Sequence, residues 1–101
     1  MTVELAIKAP TADHVVKDIV RDALMNEAKL ARFRYEQFQR ECATFEQQFN
    51  MPSDEFLQRF DAGEMGDDEV YFDWFAAVRG RNVWQQKAQV LATDSLAIIN
   101  P

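Results

Sequence analysis

From residue 13 to residue 50 the chain contains no proline and no glycine, and it is rich in Ala, Leu, Glu, Gln, Arg and Lys. Residues of this kind lose little side-chain freedom in a helix, and nothing in the run breaks one, so the stretch predicts a single long helix. Its apolar seam is Leu24, Ala28, Ala31, Tyr35, Phe38, Cys42, Phe45 and Phe49. The steps alternate between four and three, the heptad spacing that lets one helix lie along another. Upstream the stripe becomes Val16, Val20, Leu24, with Val15, Ile19 and Ala23 beside it. Two successive steps of four shift the phase as a stutter does and broaden the apolar face at that end.

Asn50 suits a left-handed helix end, and Pro52 follows it. Ser53 is placed to cap a short helix, with Asp54 and Glu55 in its first turn and Phe56, Leu57 and Phe60 on its apolar face. Gly63 is a good stop for that helix. Gly66 leads into Asp67, a candidate cap for a third helix over about residues 68–92. The third seam reads Val70, Trp74, Ala77, Arg81, Trp84, Ala88, Leu91, with Arg81 as its polar exception. Gly80 lies inside this helix, at a cost of about 1 kcal/mol relative to Ala. At the two ends, residues 2–9 alternate apolar and polar, and residues 95–100 read SLAIIN. Both are expected to be short strands.

The expected fold is therefore mainly α and a single domain over residues 1–101. A long helix, a short elbow helix and a returning helix form a helical hairpin, with short β segments at both termini. A helix of 38 residues is about 57 Å long and one of 25 residues about 37 Å. The returning arm then covers two thirds of the first and leaves Val15, Val16, Ile19 and Val20 without a neighbour. Either a kink around residues 26–32 or a partner chain would resolve this.

Composition narrows the function classes. The chain carries 17 acidic and 11 basic residues, a net charge of −6. That balance disfavours nucleic acid, whose phosphates need clustered Lys and Arg. The bases Lys17, Arg21, Lys29, Arg32, Arg34 and Arg40 alternate with acids, as on a solvated helix face. Cys42 is the single cysteine, so no disulfide forms within the chain and a reducing compartment is the default. The first residues lack a signal-peptide pattern, and no apolar run nears the ~20 residues of a membrane span. A soluble cytoplasmic protein is expected.

No catalytic constellation emerges. His14 is alone, with no nucleophile or metal set beside it. Cys42 falls on the aromatic seam, where a free cysteine behaves as a small hydrophobe. An EF-hand loop begun at Asp61 would place Gly63, Met65 and Phe72 at ligand positions, so the match fails. The reading is no enzyme, no cofactor and no metal site. A metal-dependent enzyme built on the acidic elbow is the rival among catalytic explanations.

Charge and aromatics instead concentrate between Phe45 and Phe75. Residues 51–73 hold eight acids (Asp54, Glu55, Asp61, Glu64, Asp67, Asp68, Glu69 and Asp73) and one base, Arg59, a net of −7. The same segment carries the pattern F-E-x-x-[YF]-x-M-x-S-x-E-F-x-x-R-F-x-x-G-E-x-G-D-D-x-x-[YF]-F-x-W. It runs through Phe45, Glu46, Phe49, Met51, Ser53, Glu55, Phe56, Arg59, Phe60, Gly63, Glu64, Gly66, Asp67, Asp68, Tyr71, Phe72 and Trp74. In this pattern the chain resembles a group of short prokaryotic proteins, many identified as antitoxin-like components of toxin–antitoxin pairs. The match covers about a third of the chain. Asn50 stands where a glycine is common, and Asn also tolerates the left-handed conformation.

The resemblance implies a small cytoplasmic protein that binds and neutralises a cognate toxin, commonly a small RNA-acting enzyme. An acidic, aromatic-rich surface suits a basic groove on such a partner. The residues expected to contribute to partner binding are Glu64, Asp67, Asp68, Tyr71 and Trp74, together with one terminal strand. Direct DNA binding is not expected. The alternative is a homodimeric structural or adaptor protein that uses the same apolar helix surfaces.

Overall fold

A computed structural model describes the backbone of residues 12–99 and the side chains of residues 12–92. The described residues form three helices: α1 (Asp13–Phe49), α2 (Ser53–Asp61) and α3 (Glu69–Ile99). Helix α1 runs its 37 residues without a break, so no interruption falls near residues 26–32. α3 returns antiparallel along it and α2 sits across the closed end. The result is a rod of 60 × 24 × 21 Å. Its radius of gyration is 19.2 Å, against about 13 Å for a compact domain of this length. A helix this long cannot fit inside a sphere, and the chain wraps it with one partner helix instead.

Helix α3 departs from expectation at its end. The strand expected over residues 95–100 is not formed: the helix continues through Ile99. No Gly or Pro follows Gly80 until Pro101. Extending an existing helix needs no new nucleus, and the weak helix preference of the two Ile residues does not stop it. The other expected strand, residues 2–9, lies outside the described residues. With 31 residues α3 reaches about 46 Å, and so covers some five sixths of α1 rather than two thirds.

The turns follow their residues closely. Asn50 adopts the left-handed conformation (φ 50°, ψ 48°) and ends α1. Gly63 (φ 75°) ends α2 in a Schellman motif, with its N–H on the Phe60 carbonyl at 3.0 Å and the Glu64 N–H on the Arg59 carbonyl at 2.9 Å. α3 starts at Glu69, so Asp68 rather than Asp67 occupies the position before its first turn. The Asp68 carbonyl accepts the Tyr71 N–H at 3.0 Å.

Packing is uneven along the rod. The buried cluster is Cys42, Phe56, Trp74, Ala77 and Val78, flanked by partly buried Phe38, Phe45, Phe49, Met51, Leu57, Phe60, Met65, Tyr71 and Phe75. All of it lies at the elbow end. Farther along, Gly80 explains its own presence inside a helix. A Cβ there would sit 2.6–2.7 Å from ring atoms of Phe38, so only glycine lets α3 close onto that ring. Beyond this point Ala31 is buried, while Val15, Ile19, Met25, Leu30, Phe33 and Val90 are exposed.

Candidate functional site: the acidic elbow

The elbow is held from within by Trp74. Its indole lies nearly parallel to Phe56, with centroids 3.9 Å apart, and to Phe49 and Phe45 at 5.3 and 5.8 Å. All three helices therefore meet on one ring. A buried indole N–H needs an acceptor, and the Trp74 Nε1–H donates to Ser53 Oγ at 3.0 Å. Because Pro52 occupies the cap position, Ser53, which is fully buried, does not play the capping role expected of it. It is the first residue of α2, no side chain of its own caps the helix, and its N–H donates to Glu46 Oε2 at 2.7 Å. The carboxylate that satisfies the start of α2 thus comes from the last turn of α1.

Cys42 adjoins the same serine. Burial pushes its thiol above the ordinary range, outweighing the Ser53 hydrogen bond and the nearby Arg81, which pull the other way. The thiol is neutral at physiological pH, as suits a structural cysteine. Arg81, the polar exception in the α3 seam, reaches Asp54 on α2 at 2.9 Å and ties the two helices across the elbow. Arg59 pairs with Glu55 within α2 at 3.3 Å.

Outside this core the surface is acidic. All eight carboxylate residues between positions 51 and 73 are exposed. Asp54 and Glu55 are engaged by Arg81 and Arg59. Among the described residues Asp61, Glu64, Asp67, Asp68, Glu69 and Asp73 have no ion-pair partner. Beside them stands Phe72, 51% exposed, whose ring meets Phe60 edge-on at 5.5 Å.

The structure separates the five residues expected to bind a partner. Glu64, Asp67 and Asp68 are exposed on the loop between α2 and α3. Tyr71 is half-buried, with its ring against Phe49 at 5.5 Å and Phe56 at 6.3 Å. Trp74 is 0% exposed and offers no surface. Its place in the heptad seam accounts for this, since a seam residue faces the opposite helix. Phe72 is the aromatic that faces outward. Two residues before Trp74 is 200° round the helix, which points it away from the seam.

Among the described residues no three His, Cys, Asp or Glu side chains are grouped to hold a metal ion. Also among them, no helix is long and apolar enough to cross a membrane. Comparison with family models, with curated protein sequences and with solved structures returned no match.

Proposed function

We propose that this chain is a non-catalytic protein-binding module whose acidic elbow docks a basic surface on a partner protein. In its fuller form the reading is antitoxin-like: direct binding that neutralises a cognate, RNA-acting toxin. The observation that carries the docking reading is the half-exposed Phe72 amid six exposed carboxylates without ion-pair partners, on a base locked by the Trp74 stack. An aromatic anchor ringed by charge is the usual make-up of an interface hot spot and its rim. The carboxylates steer a basic partner and speed encounter, and the fixed base holds down the entropy lost on binding. The step from partner binding to toxin neutralisation rests on the sequence resemblance.

The test is co-purification of the tagged chain from its native cells, followed by affinity measurements on the captured protein. Replacing Asp67 and Asp68 together by Lys is expected to weaken binding by about tenfold or more, with the loss shrinking at high salt. Phe72→Ala is expected to weaken it by a similar factor with little salt dependence. Unchanged affinity in both variants contradicts the elbow as the contact. A captured protein with no RNA-directed activity leaves docking standing and removes the antitoxin-like form.

A further inference from the structure

The N-terminal half of α1 carries a second stripe, nearly half a turn round from the seam that meets α3. It consists of Val15, Ile19, Ala23, Asn26, Leu30 and Phe33, all exposed, with Ile19 at 63% and Phe33 at 52%. From Ile19 onward the steps are four, three, four and three, the spacing of a helix-packing seam. The stripe is also nearly palindromic. Inverting α1 about the point between Leu24 and Met25 carries Ile19 onto position 30 and Ala23 onto position 26. It also carries Val16 onto position 33 and Val15 onto position 34. A two-fold interface requires that self-complementarity, and a different partner would not.

The flanking charges choose the direction. One edge of the stripe bears Asp22, Lys29 and Glu36, the other Glu27, Arg34 and Glu41. A parallel, in-register pair would set Asp22 against Glu27, Lys29 against Arg34 and Glu36 against Glu41, three like-charge contacts on each side. In the antiparallel pair, Asp22 lies two residues along the axis from Lys29 of the second copy. Side chains lean towards their own helix N-terminus, which brings these two together, and the dyad makes the contact twice.

We propose that the chain forms an antiparallel homodimer through Ile19, Ala23, Asn26, Leu30 and Phe33 of α1, with Asp22 of each copy paired to Lys29 of the other. The seam from Ile19 to Phe33 spans about 21 Å of helix, roughly four turns, so the dimer is a weak one that dilution separates. The dyad lies far from the elbow. Two elbows then point outward about 76 Å apart, and the dimer offers two partner sites at once.

Sedimentation equilibrium of the full chain over about 1–500 μM tests this. The expected result is a mass rising with concentration from 11.7 kDa towards twice that value. Leu30→Asp is expected to leave it monomeric, with helical circular dichroism unchanged. Asp22→Lys and Lys29→Asp are each expected to weaken the dimer about tenfold, because the dyad doubles the effect, and the two together to restore it. A monomer at every concentration overturns the proposal, as does a dimer indifferent to Leu30→Asp. Tightening by either single reversal overturns it too, since that is the signature of the parallel pair.

Discussion

The two ends of the hairpin use the same heptad pattern to different effect. At the elbow, α1, α2 and α3 converge on Trp74, and Cys42, Phe56, Ala77 and Val78 are buried around it. At the open end, among the described residues, two helices meet. Ala31 is buried there, but Ile19, Leu30 and Phe33 face solvent. A pair of helices can bury one stripe each, and a third element is needed to close a core. Nine residues of α2 supply it at one end and nothing described supplies it at the other. Stability is therefore concentrated at the elbow, and the open end keeps apolar surface exposed.

Several substitutions can break or sharpen that contrast. Trp74→Ala is expected to cost about 3–5 kcal/mol in denaturant unfolding, because it empties the centre of the stack. Ile19→Ala at the open end should stay within about 0.5 kcal/mol in the monomer. Comparable losses at both sites would mean that the rod is uniformly packed. Gly80→Ala is expected to lose about 1–3 kcal/mol from overpacking against Phe38, despite the better helix propensity of Ala. In a Phe38→Ala background the same change should stabilise by up to ~1 kcal/mol, a reversal of sign that a thermodynamic cycle would detect. Ser53→Ala removes the acceptor of the Trp74 indole N–H and is expected to cost about 1–3 kcal/mol.

Much of this architecture was legible in the sequence. The α1 seam, the left-handed Asn50, the stop at Gly63 and the returning helix follow from heptad spacing and turn chemistry, which act locally. Two elements depart from their local signals because their surroundings override them. Ser53 looks like a cap from its neighbours alone, but the indole of Trp74, 21 residues away, claims its hydroxyl and Glu46 takes over its N–H. The SLAIIN ending has a strand-like composition, but it follows an uninterrupted helix and simply extends it. At the candidate site charge alone points to Glu64, Asp67 and Asp68, and all three are exposed on the loop. Aromatic density makes Trp74 look like a contact, but its place in the seam buries it, and the helical period turns Phe72 outward instead. Aromatic density flagged the region, and only phase could sort core from surface.

The most direct test of the account is native-state hydrogen exchange, read amide by amide at a concentration where the chain is monomeric. Amides of residues 42–49, 53–60 and 71–81 are predicted to exchange only through global unfolding. Amides of residues 16–30 are predicted to exchange through smaller openings, faster by about two orders of magnitude or more. Uniform protection along α1, or slower exchange at the open end than at the elbow, would contradict the claim that the Trp74-centred elbow is the stable platform of this protein.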